Sequence, residues 1–273
     1  MMHTSWVVKY RPKHLADIAG NKDAISALTG WIESWKKKPP AKRAALLYGL
    51  AGTGKTVSVE AAARDLNLDL VEINASDRRS GEAIRQVAGM ATRQAGLFNG
   101  RRIVLLDEID GINLAEDSGA IAAVVEIIRT THSPVLLTAN DPWEPKIRPL
   151  RELCMLIQFK RLTVRDSLPY LKELCEAEKI DADEKALKFI IERNEGDMRS
   201  IVNDLQMLSA GKSRLGYEDV TWLAWRDRKE SVFGALKVVF TAKNCLWARK
   251  AIDLADVDYE MLFEWIYQNA PHQ

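Results

Sequence analysis

The apolar positions along the chain follow two patterns. Five short runs are predominantly apolar: Ala44 to Tyr48, Leu68 to Ile73, Ile103 to Leu106, Val135 to Ala139 and Met155 to Phe159. A strand with one wet face alternates apolar and polar residues, so continuous runs predict strands buried on both faces, as in a parallel sheet covered by helices. Between them apolar residues recur at helical spacing, for example Ile84, Val87, Ala88, Ala91 and Ala95, so residues up to about 160 read as repeated strand-helix units. An amphipathic helix is predicted from Asn21 to Lys38 through Ile25, Leu28, Ile32 and Trp35. It stops at Lys36-Lys37-Lys38 and Pro39-Pro40.

After Lys160 the strand runs cease. Residues 164–179, 183–193 and 197–210 carry helical spacing, the last through Met198, Ile201, Val202, Leu205 and Leu208, with Asp197 placed to cap its start. A charged stretch, Arg226-Asp227-Arg228-Lys229-Glu230, precedes helices expected from Val232 to Phe240, Trp247 to Leu254 and Tyr259 to Ile266. The expected organisation is an α/β domain over 1–160, an all-helical domain over 161–227 and a further helical region over 228–273.

Composition mainly excludes. The 273 residues are 47% apolar and 28% charged, ordinary for a globular protein, and the net charge of +1 gives no global pull toward nucleic acid or membrane. Any such binding must come from a local patch. No apolar run approaches the roughly 18 residues of a spanning helix. Met1 to Pro12 carries charges where a signal peptide needs an apolar core, so a cytoplasmic protein is expected, with no membrane partner. Cys154, Cys175 and Cys245 are too dispersed for a local metal motif and read as reduced, buried thiols. His3, His14, His132 and His272 are equally scattered and suggest no site.

The candidate chemistry starts at Gly49-Leu50-Ala51-Gly52-Thr53-Gly54-Lys55-Thr56, which matches G-x-x-x-x-G-K-[ST] directly after one predicted strand and before a predicted helix. In that context successive backbone N–H groups can point at phosphate oxygens, and the helix adds its positive end. Lys55 can reach the β and γ phosphates of ATP, and the Thr56 hydroxyl can hold magnesium. The run Ile103 to Leu106 delivers Asp107 and Glu108 at its end. Asp107 would hold the magnesium and Glu108 would polarise the attacking water. Asn140 closes the run Val135 to Ala139 where a water or γ-phosphate could be sensed, although Asn140-Asp141-Pro142 by itself reads as a turn. Arg199, just after Gly196-Asp197, reads by itself as a surface arginine.

These boxes, taken in order with Trp6-Val7-Val8-Lys9-Tyr10-Arg11-Pro12, Asn74-Ala75-Ser76-Asp77, Asp107-Glu108-Ile109-Asp110, Leu137-Thr138-Ala139-Asn140-Asp141 and Gly196-Asp197-Met198-Arg199, resemble replication factor C. This is the AAA+ clamp loader, which opens a sliding clamp and places it on primed DNA. The resemblance spans residues 5 to about 268, and Trp31 to Trp35 with Asp141-Pro142-Trp143 look like the archaeal large-subunit branch. Val8 departs from the family's usual glutamate.

The resemblance implies an ATP-dependent clamp-loader subunit. Its fold would be a nucleotide-binding domain with a five-stranded parallel sheet, a three-helix lid and the start of a helical collar. The collar would then be incomplete, as in a truncated or unusually short form. Tyr10, Arg11 and Pro12 would lie near the adenine, with Asn140 as first sensor and Arg199 as second. The implied partners are clamp-loader small subunits, a PCNA-type sliding clamp and primer-template DNA, in a nucleoid-associated hetero-oligomer.

Small subunits of the family carry Ser-Arg-Cys near the end of the ATPase domain, the arginine acting as a finger on a neighbour's ATP. Here the matching stretch is Glu152-Leu153-Cys154. A missing finger fits a subunit at the end of an open ring, and the chain alone should turn ATP over slowly. Arg148 and Arg151 are the candidate substitutes. Between Ala75 and Arg102 six arginines stand against Asp77 and Glu82. Arg78, Arg79 and Arg85 are the candidate phosphate-backbone contacts, and a solvated basic face is the bland alternative. The segment Ala115 to Thr131 would meet the clamp, although Ile121, Val124, Val125 and Ile128 suit a core equally. Two other readings are weighed: a different AAA+ DNA motor or initiator, which a winged-helix region after the lid would favour, and a structural subunit that holds nucleotide without hydrolysing it. Intact Lys55, Thr56, Asp107 and Glu108 oppose the second.

Overall fold

The computed structural model describes residues 4–75, 102–112, 119–220 and 267. The chain divides into two compact units, Met1–Arg214 and Leu215–Gln273, and the architecture below is that of the first. The basic stretch with Arg78, Arg79 and Arg85, and the helices expected between 232 and 266, lie outside the described residues.

Five strands, β1 (Ala44–Tyr48), β2 (Asp69–Asn74), β3 (Arg102–Asp107), β4 (Val135–Ala139) and β5 (Cys154–Gln158), form one sheet in the order β2-β3-β4-β1-β5. Every pairing is parallel; in register, Leu46 of β1 stands between Leu137 of β4 and Leu156 of β5. The central strands β1, β3 and β4 are buried on both faces, as their continuous apolar runs require, whereas the edge strand β2 leaves Asp69 and Glu72 exposed. Ala44, Leu46, Val104, Leu106, Val135 and Leu137 point into one core, with residues of α4 (Ala120–Thr130) and α5 (Arg148–Leu153). Ala45, Leu47, Ile103, Leu105 and Leu136 point into the other, with α2 (Lys22–Ser34) and α3 (Lys55–Asp65). Each fully buried leucine or isoleucine contributes about 1.5–3 kcal/mol, which makes the three central strands a rigid base for whatever their ends carry.

The α2 helix ends at Ser34, earlier than Lys38, and the chain then makes turns through the three lysines. All three are exposed, with the Lys36 ammonium paired with Glu33 at 3.3 Å, and Pro39-Pro40 cannot continue a helix. In α4, Ile121, Val124 and Ile128 are buried against the sheet, with Val125 packed on that core, the core alternative named for these residues; positions 115–118 of the expected clamp segment lie outside the described residues. Cys154 and Cys175 are buried thiols.

A short helix α1 (Trp6–Lys9) precedes the sheet. After it come α6 (Val164–Ala177), α7 (Glu184–Arg193) and α8 (Met198–Ser209). Asp197 caps α8, as its position predicts, with Oδ1 accepting from the N–H groups of Arg199 (2.9 Å) and Ser200 (3.1 Å). The helical region is not strand-free. A two-residue strand, β6 (Asp181–Ala182), bonds outward, with the Asp181 N–H donating to the Ser213 carbonyl at 2.9 Å. Two residues are too few for a period-2 signal in the sequence.

Candidate active site

The strand order fixes where a ligand can sit. The chain leaves β1 toward β2 at one edge and later leaves β4 toward β5 at the other, so its direction reverses beside β1. Open parallel sheets bind ligands at the carboxyl ends of strands next to such a reversal. There β1 ends in the glycine-rich loop, β3 ends at Asp107, and Asn140 follows β4.

Gly52 has φ +65° and Gly54 φ +97°, values side chains rarely adopt. Gly54 is the residue before α3, whose first-turn N–H groups have no acceptor within the helix and are available to an anion. The Lys55 ammonium donates to the carbonyls of Gly49 (2.6 Å) and Leu50 (2.9 Å) and to Asn140 Oδ1 (3.1 Å). Burial pulls its pKa down from the ordinary lysine value, opposed first by Asp110 and then by Asp107. A bound phosphate group would add to these charges and oppose the burial further.

On the acidic side, the Thr56 hydroxyl donates to Asp107 Oδ1 at 2.9 Å, and the Thr138 hydroxyl donates to the same oxygen. Glu108 is held at φ +54°, a left-handed conformation that costs a non-glycine residue about 1 kcal/mol or more. Its N–H donates to Thr138 Oγ1 at 2.9 Å. Thr138 therefore joins β4 to both acids. Magnesium takes hard oxygen ligands and keeps several waters, usually with only one or two protein carboxylates. A threonine hydroxyl already in contact with a single carboxylate is such a donor pair, and no cluster of three or more His, Cys, Asp or Glu side chains suited to a metal occurs among the described residues.

The N-terminal box braces core and helical region together. Trp6 N–H donates to Gln206 Oε1 (2.8 Å), while the Lys9 ammonium and the Tyr10 hydroxyl both donate to Glu178 Oε1 at 2.7 Å. These donors hold the Glu178 carboxyl below its ordinary pKa. The Tyr170 hydroxyl, pushed up to about 12 by burial, donates to the Tyr10 carbonyl at 2.7 Å. Arg11 makes a two-pronged pair with Glu60 of α3, Nε to Oε2 at 2.9 Å and the second prong to Oε1. Its guanidinium thus grips the phosphate-loop helix. From the opposite side the Met198 N–H donates to the Gly52 carbonyl at 3.1 Å. A Cβ on Gly52 would stand 1.7 Å from Asp197 Oδ1, so only glycine permits this approach.

A cavity of about 180 Å³ runs between these parts. Tyr10, Arg11, Pro12, Ala51, Gly52, Thr53, Gly54, Lys55, Thr56, Asp107, Glu108, Asn140 and Arg199 all line it, with Val7, Ile18, Met198 and Val202 supplying apolar wall. Gly49 and Leu50 lie behind it and present their carbonyls to Lys55. Residues the sequence reading passed over are Thr138, Asp110 and Glu60. Thr138 could have been found as the one hydroxyl in an otherwise apolar run; Glu60 carried no signal of its pairing. Beside the Glu152-Leu153-Cys154 stretch, Arg148 Nε pairs with Glu152 (3.3 Å). The Arg151 guanidinium lies 4.5 Å from the ring centre of exposed Trp143 and donates to the Pro142 carbonyl (3.3 Å).

Residues 45–161 match the family described as "ATPase family associated with various cellular activities (AAA)". Replication factor C large subunits of Thermofilum pendens and Staphylothermus marinus are 42% and 44% identical over 98% and 97% of this chain. That of Sulfurisphaera tokodaii is 44% identical over all of it. The chain is a homologue of the replication factor C large subunit, built on an AAA domain. It spans 65%, 63% and 62% of the length of those three replication factor C relatives. The Thermotoga maritima RuvB Holliday junction branch migration motor, 18% identical, superposes with a TM-score of 0.62 over 85% of this chain and 80% of that chain. At that identity the likeness is one of fold. No described helix is long and apolar enough to cross a membrane.

Proposed function

We propose that this chain is an ATP-hydrolysing clamp-loader subunit that, with small subunits, opens a PCNA-type sliding clamp and loads it on primer-template DNA. The observation that carries the reading is the convergence of Lys55, Thr56, Asp107, Glu108 and Asn140 on one cavity, in a chain 42% identical to a replication factor C large subunit. Lys55 and the first-turn N–H groups of α3 bind the phosphates, while Tyr10, Arg11 and Pro12 bound the cavity on the side of the base. Thr56 and Asp107 would hold magnesium, which when bound neutralises charge on the β and γ oxygens. Glu108 accepts the proton of the attacking water, Asn140 orients the γ-phosphate end, and Arg199 approaches from the helical region as a second sensor. Residues 161–227 would act as the lid and 228–273 as the start of a collar. The finger would come from a neighbouring small subunit, because Arg148 and Arg151 are engaged within this chain.

Reconstitution tests the whole reading. Co-expressed with candidate small subunits, the chain should form a complex of defined mass that loads the clamp on primed circular DNA only with ATP. A complex that forms and binds ATP yet loads no clamp would overturn it. The second proposal concerns DNA. Arg78, Arg79 and Arg85, in a stretch of six arginines against two acids, would hold the phosphate backbone without reading bases. Removing one should weaken binding alike for every sequence and lower the slope of log affinity against log salt by about 1. An unchanged slope would count against the patch.

A further inference from the structure

Asp110 has no role in the reading above, yet it is bonded to both sides of the site. It lies in the 3-10 turn Ile109–Gly111 that directly follows the acid pair, and its Oδ2 accepts the backbone N–H of Asn140 at 2.7 Å. The turn is anchored from behind. The Lys146 ammonium donates to the Asp110 carbonyl at 2.6 Å and to the Ile112 carbonyl at 3.1 Å.

The second carboxylate oxygen, Oδ1, is buried and has no hydrogen-bond partner among the described residues. An unpaired buried acceptor costs free energy, and such groups call for a reason. The neighbourhood offers one. The bonded N–H belongs to the residue whose side-chain Oδ1 stands 3.1 Å from the Lys55 ammonium. Two residues before Asp110, Glu108 is held in its left-handed conformation. One carboxylate therefore fixes the distance between the turn carrying the general base and the residue facing the γ-phosphate position.

We propose that Asp110 is a positioning residue for ATP hydrolysis, which, through the backbone N–H of Asn140, sets the Asn140 amide in register with Lys55 and Glu108. Asp110 lines the same cavity as Lys55, Glu108 and Asn140, and its proposed part is to place those groups rather than to react. A misplacement of about 1 Å at a reacting centre can cost on the order of 100-fold in rate, so losing this bond should be felt in turnover and not in nucleotide affinity.

The inference rests on the ATPase reading, and the experiment separates the two. Single-turnover ATP hydrolysis by the full chain is measured for wild type, Asp110→Ala, Asp110→Asn, Asn140→Ala, the double variant Asp110→Ala with Asn140→Ala, and Lys55→Ala. ATP affinity, ADP affinity and thermal midpoint are recorded for each. Asp110→Ala should slow hydrolysis about ten- to a hundred-fold while both affinities stay within about two-fold and the midpoint holds. Asp110→Asn keeps an acceptor for the Asn140 N–H and should recover most of the rate. In the Asn140→Ala background, removing Asp110 should cost little more, because the side chain it positions is already gone. Wild-type rates in Asp110→Ala, equal losses of rate and both affinities, no recovery by asparagine, or full additivity in the double variant would each overturn the proposal. Undiminished hydrolysis by Lys55→Ala would instead overturn the ATPase reading beneath it.

Discussion

A small subunit carrying the family's finger arginine should raise ATP turnover at this chain's site by about 10³- to 10⁵-fold, the range of fingers supplied in trans. Among the described residues, the cations lining the cavity are Lys55, Arg199 and Arg11, the last paired with Glu60. The two arginines nearest the expected finger position are engaged elsewhere, Arg148 with Glu152 and Arg151 with Trp143 and the Pro142 carbonyl. On the proposed reading, charge developing on the transferring group would be left for another subunit to neutralise. The assay is ATP hydrolysis by a mixed complex whose small subunits carry a disabled loop lysine, so that only this chain hydrolyses. If the isolated chain is already as fast, the end-of-ring reading fails and Arg148 or Arg151 becomes the first suspect for a self-supplied finger.

Two substitutions in the site should give opposite phenotypes. Lys55→Ala should abolish or strongly weaken ATP binding: it removes the buried cation that Gly49, Leu50 and Asn140 hold in place, and leaves their acceptor oxygens around an uncharged gap. Glu108→Gln should keep ATP affinity and lower turnover about 10²- to 10⁴-fold, the usual worth of a general base, since an amide cannot take up the water's proton. Fluorescent-nucleotide titration beside a turnover assay distinguishes them. Equal affinity in wild type and Lys55→Ala would remove the phosphate site from this loop.

The sheet was readable in the sequence because burial on both faces leaves a mark that needs no partner. The runs at Ala44 to Tyr48 and Val135 to Ala139 coincide with β1 and β4 to the residue. The glycine loop and the acid pair were readable for a similar reason: a backbone cradle and a strand-end carboxylate are local, contiguous features. What stayed hidden depends on residues far apart in the chain. Nothing in Arg11 announces Glu60, 49 positions on, and the resemblance alone placed that guanidinium near the adenine. Asp110 and Asn140, 30 residues apart, meet only because β3 and β4 are neighbours in the sheet. In α4, amphipathic spacing could not tell a core face from a docking face, since both demand the same side chains. The resemblance favoured the clamp; the packing of Ile121, Val124 and Ile128 gives them to the core.

The contact between Gly52 and the start of α8 has a mechanical consequence. One peptide serves two masters: the loop that would wrap phosphate lends its Gly52 carbonyl to the Met198 N–H, and the absent Cβ leaves the two segments no slack. Swinging α8 away must either break that bond or drag the loop with it. Any movement of α8 would therefore reach the Gly52 peptide of the glycine-rich loop directly, with no intervening linkage to absorb it.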